Sequence, residues 1–182
     1  MSTGLMARTS SKESAHAAKA VLLALSSDGM VRKLLGGTFY RVRDPRNFHA
    51  AMRADVNLLH SNRAYLSLTT VLVCCLDALA AGSGEATRGK FEAFVKQQLP
   101  DLCAALETAC QGKKGAAVLY DAFRNGFTHV RGPKRKFAIA DDQELGGDWA
   151  DRVEVDGQQF VALNVDRLAR EFLMLLDRLE AA

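Results

Sequence analysis

Apolar positions recur with a helical period over most of the chain. Phe48, Met52, Val56 and Leu59 make one stripe, and Leu66, Val73, Leu76 and Leu79 continue one. Asp44-Pro45 marks the start, an N-cap followed by proline at the first helical position, and Gly82 marks the end. Neither glycine nor proline interrupts the chain between Pro45 and Ala81, so the pattern predicts one long helix or two nearly collinear ones, with Ser61-Asn62 as the only break. Ser83 is a candidate cap for a helix over Gly84–Leu99, with Phe91, Phe94 and Val95 inward. Pro100–Cys110 follows, with Leu102 and Leu106 inward, then Gly115–His129, with Val118, Leu119, Ala122, Phe123 and Phe127 apolar. Gly132-Pro133 bars any extension. Upstream, the Ala- and Leu-rich Ser14–Leu25 predicts a helix, and Met30–Arg43 a connector around Gly36-Gly37.

The period changes after residue 135. Arg152–Val155 alternates, Asp156-Gly157 has the chemistry of a type I′ turn, and Gln158–Val165 is rich in β-formers. Lys136–Ala140 is a candidate third short strand. Asn164 or Asp166 then caps a helix carrying Leu168, Phe172, Leu175, Leu176 and Leu179. The expected fold is mainly α: an antiparallel helical bundle over residues 44–182 with a small β-hairpin inserted at about 136–164, before the C-terminal helix. Residues 1–43 add a helix and connector packed on the bundle.

Composition narrows the function classes. At 182 residues, 48% apolar and 25% charged, the chain reads as one ordinary globular domain rather than a disordered or fibrous one. Four cysteines without a C-x-x-C pair read as reduced core thiols. The longest apolar run, Val71–Leu76, is far short of the about 18 residues a spanning helix needs, and the N-terminal residues lack the layout of an export signal. A cytoplasmic protein without membrane contact is expected. The net charge of +3 is unevenly placed. Between Gln111 and Phe137, Lys113, Lys114, Arg124, Arg131, Lys134, Arg135 and Lys136 face one acid, Asp121, whereas from Asp141 onward eleven acids face four arginines. A basic block of this kind attracts polyanions.

Metal and cofactor chemistry find no support in the spacing. His16, His49, His60 and His129 form no H-E-x-x-H and no cluster with cysteine, so neither a metal nor a cofactor is expected. Gly112–Gly115 lacks the preceding strand of a phosphate loop. Asp141-Asp142 reads as a solvated loop pair, and Trp149 as a lid on the hairpin. Of three arginine–histidine pairs at close spacing, Arg43/His49 straddles Pro45, and Arg53/His60 lacks a polar residue after the arginine and reads as surface or inter-helix contacts. The third is Arg124-Asn125-Gly126-Phe127-Thr128-His129, at a helix end within the basic block.

This string resembles the R-x4–6-H motif of the HEPN superfamily, in detail over about residues 115–135. The resemblance implies a metal-independent endoribonuclease acting on RNA as a homodimer, of the kind found in toxin–antitoxin and phage-defence systems, with an antitoxin or a nucleotidyltransferase as partner. It implies His129 as base and acid across the dimer, Arg124 as the cation on the phosphorane and Asn125 as the orienting group. Arg131, Lys134, Arg135 and Lys136 would hold the RNA backbone, with Tyr120 on the substrate side. The alternative is a non-catalytic module that binds nucleotide, RNA or protein through the same surface. On a regular α-helix, residues five apart point about 140° from each other and lie about 7.5 Å apart along the axis, so Arg124 and His129 do not share a face. Plainer roles are also open. Arg124 can pair with Asp121 or stack on Tyr120, His129 can serve as a C-terminal helix cation, and Tyr120 can join Phe123 and Phe127 in the core.

Overall fold

The structure, a computed structural model, describes residues 30–32, 39–41, 45–82, 84–127, 133–134 and 136–181, with side chains from residue 48 onward. The chain divides into two compact units, Met1–Ala51 and Met52–Ala182. The predicted helix at 14–25 lies outside the described residues. The expected connector is not structureless: β1 (Met30–Arg32) and β2 (Phe39–Arg41) pair antiparallel, Met30 opposite Arg41 and Arg32 opposite Phe39. Three-residue strands are too short to show alternation, so only the β-formers Val31, Phe39 and Tyr40 on either side of the Gly-Gly pair hinted at them.

The second unit is mainly helical with a small three-stranded sheet. Helix α1 (Pro45–Ser61) stops at the expected break. The Asn62 side chain turns back to donate to the Leu58 carbonyl at 2.7 Å, and Arg63 takes a left-handed φ of 51°, which ends the helix as a glycine would. Met52 and Val56 face the core. Arg53 donates to Asp177 at 2.7 Å, and His60 Nε2 lies 2.9 Å from Asp166, so both are inter-helix polar contacts as expected.

Helix α2 (Tyr65–Ala81) packs on the segments at 88–98, 119–124, 137–140 and 165–181. It is apolar nearly all round, and a helix of that pattern belongs inside: Leu68, Val71, Leu72, Val73, Cys75 and Leu76 are buried. Buried Thr69 satisfies its hydroxyl by donating to the Tyr65 carbonyl at 2.8 Å. The helix carries a single charged residue, Asp77.

Helix α3 (Arg88–Gln98) begins later than expected, because Thr87 supplies the cap, accepting from the Lys90 N–H. Ser83 lies outside the described residues. Phe91 and Val95 are fully buried, whereas Phe94 is half-buried. Helix α4 (Pro100–Ala109) starts on its proline and turns inward Leu102, Cys103 and Leu106. Helix α5 (Gly115–Val118) approaches α4 so closely that a Cβ on Gly115 would stand 2.0 Å from the Cys103 carbonyl oxygen. The chain then does not continue as the regular helix expected to residue 129. Leu119–Arg124 winds as a π-helix, and the Asn125 N–H donates to the Tyr120 carbonyl five residues back.

In the sheet, β5 (Gln158–Asn164) is central, antiparallel to β4 (Ala150–Val155) and parallel to β3 (Phe137–Ala140). Asp156 and Gly157, which join β4 to β5, both have positive φ, as a type I′ turn requires. The third strand makes this a mixed sheet rather than an isolated hairpin. Asp141-Asp142 is no solvated pair. Asp141 closes a capping box at the start of α6 (Asp142–Leu145), and Asp142 accepts from Arg170 and from Asn164. The Arg170 hydrogen bond holds the Asp142 carboxyl below its usual range. Asn164, fully buried, caps α7 (Val165–Ala181) by accepting from the Arg167 N–H at 2.9 Å. Leu168, Phe172, Leu175 and Leu176 of α7 are buried. Trp149 is buried beneath Arg167, whose guanidinium lies 4.7 Å from the ring centre.

Burial raises the Asp55 carboxyl above its usual value. A carboxyl with a folded pKa above its unfolded one favours the fold while both states are protonated, below the unfolded pKa, and loses that advantage as pH rises through the folded pKa. Asp55→Asn should therefore raise the melting temperature at pH 7 and leave it nearly unchanged at pH 3. Thermal melts of the two proteins at both pH values check this, and an equal shift at both would discard the desolvation account.

Candidate functional site

The π-helical segment sorts its side chains cleanly. Leu119, Ala122 and Phe123 are buried, while Tyr120, Asp121 and Arg124 stand at the edge of the core. Tyr120 is the hub of this edge. Phe91 meets its ring edge-on at 5.2 Å, and the guanidinium carbons of Arg88 and Arg124 lie 5.6 and 5.1 Å from its centre. Arg88 also donates to Glu92 at 2.6 Å and to Asp121 at 2.9 Å.

Arg124 is engaged across the core. Its Nε and one terminal nitrogen donate to the same Asp77 oxygen at 3.2 and 2.7 Å, and the other terminal nitrogen donates to Asn125 Oδ1 at 2.9 Å. The stacking on Tyr120 is as expected. The pairing with Asp121 is not, because Arg88 holds Asp121 and Asp77 is the acid that faces Arg124. Side-chain exposures of 21% for Arg124 and 13% for Asp77 place the pair well below the surface. Burial disfavours the Arg124 charge, and the hydrogen bond and charge of Asp77 outweigh it, raising its pKa above the ordinary guanidinium value. Cys74 adjoins this pair, and burial pushes its thiol up to about 11, which leaves it protonated at neutral pH and unsuited to nucleophilic work. Burial raises the other three free cysteines as well.

The remaining sequence candidates fall into two groups. Asn125 is half-buried against Arg124, and Lys134 and Lys136 are exposed. The Lys134 N–H donates to the Ala122 carbonyl at 3.0 Å, which ties this part of the basic block back onto the π-helix. His129, Arg131 and Arg135 lie outside the described residues. Among the described residues no three His, Cys, Asp or Glu side chains gather as a metal site would require, and no helix is long and apolar enough to cross a membrane. No family model, curated protein or solved structure matches the chain.

Sequence reasoning missed Asp77, and a signal for it exists. A lone charge on an otherwise uncharged, core-facing helix must find a partner or shift its protonation. Arg124, on a later apolar helix, is such a partner.

Proposed function

We infer that the chain is a metal-independent endoribonuclease of the HEPN type, acting on RNA as a homodimer, with its helices read as a HEPN-like bundle carrying an inserted β-hairpin. The observation that carries this reading is the π-helical winding through Arg124. π-Turns are uncommon and concentrate at functional sites. The segment ends on Arg124, the arginine of the motif, and His129 follows five residues later in the sequence.

In the proposed reaction His129 takes the proton of the ribose 2′-OH, whose oxygen attacks the adjacent phosphorus. Arg124 stabilises the charge of the phosphorane, for which a planar guanidinium fork is well shaped. The partner's copy of this histidine protonates the leaving 5′-oxygen. The products are a 2′,3′-cyclic phosphate and a 5′-OH, and DNA is not cut because it lacks the nucleophile. Asn125 orients Arg124 through its carbonyl oxygen, and Lys134, Lys136, Arg131 and Arg135 hold the RNA backbone. A cytoplasmic role in toxin–antitoxin or phage defence, with an antitoxin or nucleotidyltransferase partner, belongs to the same proposal.

One observation favours the second reading, a non-catalytic RNA- or nucleotide-binding module: Asp77 already neutralises Arg124. Incubation with RNA in EDTA separates the two. The nuclease reading expects cyclic-phosphate ends from the wild type and at least a hundredfold slower cleavage by His129→Ala, since general acid–base catalysis contributes about 10²–10⁴-fold. Retention of RNA without any cleavage selects the binding module.

A further inference from the structure

The segment that carries Arg124 also walls a cleft of about 350 Å³, within the size range of small-ligand sites. Its floor is apolar, built from Ala117, Val118 and Phe137, and its rim holds Lys113, Lys114 and Lys134. The three lysines are exposed, and none forms an ion pair among the described residues. The one acid at the cleft, Asp121, is held by Arg88 at 2.9 Å, which leaves the three lysines as the charges lining it that have no ion-pair partner among the described residues. The cleft is also held in shape. The Lys134 N–H is bonded to Ala122 and its carbonyl to the Phe137 N–H, both at 3.0 Å, while the Phe137 ring rests edge-on against buried Phe123 at 5.6 Å.

An apolar floor under three unpaired cations suits a ligand with a flat apolar face and neighbouring negative charge. We propose that this cleft binds one nucleotide of a single-stranded polynucleotide, with phosphates among Lys113, Lys114 and Lys134 and the base on Val118 and Phe137. RNA as the natural occupant rests on the function proposed above. The cleft itself is blind to the sugar, because ammonium groups read phosphate charge and an aromatic floor accepts the face of any base. Single-stranded DNA should therefore bind as RNA does, although only RNA can be cut.

That difference supplies the test. A fluorescent single-stranded DNA oligonucleotide, which lacks the 2′-OH, reports the cleft independently of cleavage when its anisotropy is followed across a potassium chloride series. Each phosphate neutralised on a single strand contributes about −0.7 to the slope of log K against log salt. Lys113→Ala/Lys114→Ala should flatten the slope by about 1.4 and weaken binding about tenfold near 0.15 M salt. Lys113→Arg/Lys114→Arg should restore both, which separates lost charge from lost folding. No binding by the wild type, an unchanged slope in the alanine pair, or RNA bound more than tenfold tighter than DNA overturns the proposal. Lysine-dependent DNA binding with no RNA cleavage upholds the cleft and removes the nuclease reading. RNA cleavage with binding unaffected by the alanine pair does the reverse.

Discussion

Gly115→Ala is expected to destabilise the protein by about 3 kcal/mol or more, the upper end of overpacking effects. Its backbone needs no positive φ, so the cost is one of space. The added methyl would stand 2.0 Å from the Cys103 carbonyl oxygen and 2.7 Å from the Cys103 Cα, and these are backbone atoms that no rotamer change can move aside. The glycine is buried, and its N–H is bonded to Glu107 Oε1 at 3.1 Å, so the start of α5 is fastened to the helix it would have to leave. Close-packed interiors relax only partly around such a clash. Gly112 is the control. It has a φ of +83°, yet a Cβ there meets nothing within 4 Å, so Gly112→Ala should cost only the about 1–2 kcal/mol of a left-handed non-glycine residue. Urea denaturation of both variants at constant m-value gives the comparison. A smaller loss for Gly115→Ala than for Gly112→Ala would show that α4 and α5 separate freely. The damage should reach the site as well, because α5 runs directly into the segment that carries Tyr120 and Arg124.

What the sequence revealed was local chemistry. The break after Ser61, the proline start of α4, the Asn164 cap and the buried stripe of α7 each depend on a few neighbouring residues, and each is where the pattern placed it. What it concealed depends on distant partners. The parallel pairing of β3 with β5 joins Phe137 to Val161, and no periodicity encodes that register. The Thr87 cap was not foreseen, because Ser83 is as good a cap by residue type, and only the packing of Phe91 and Val95 decides where the turn begins. The π-winding was hidden for another reason. One extra residue per turn leaves Leu119, Ala122 and Phe123 inward, so the apolar pattern still reads as an ordinary helix. At the site, Arg124 and Asn125 were picked out by the arginine–histidine spacing and the motif it resembles, and the structure brings them together with Tyr120. Asp77, 47 residues away, was not.

Asp77 also separates a structural arginine from a catalytic one. Breaking one side of a fully buried ion pair costs about 3–5 kcal/mol, and an exposed pair is worth about 0–1 kcal/mol. At 21% and 13% exposure the Arg124–Asp77 pair lies between, so Arg124→Ala should cost about 2 kcal/mol, with up to about 1 kcal/mol more from the lost stacking on Tyr120. Most of that loss is the penalty of leaving the Asp77 carboxylate without its partner, so Asp77→Ala/Arg124→Ala should be more stable than Arg124→Ala alone. Cleavage should respond differently. If Arg124 supplies positive charge to the phosphorane, its loss slows the reaction by about 10²–10³-fold, and removing Asp77 as well restores none of it. Unfolding curves and RNA cleavage rates on wild type, both single variants and the double variant complete the cycle. A double variant that regains both stability and cleavage would make Arg124 an ion-pair partner of α2 and nothing more, and the nuclease reading would lose its cation. A double variant that regains stability and stays inactive assigns the guanidinium to the reaction, with Asp77 and Tyr120 holding it in place until a phosphate takes over part of its hydrogen bonding.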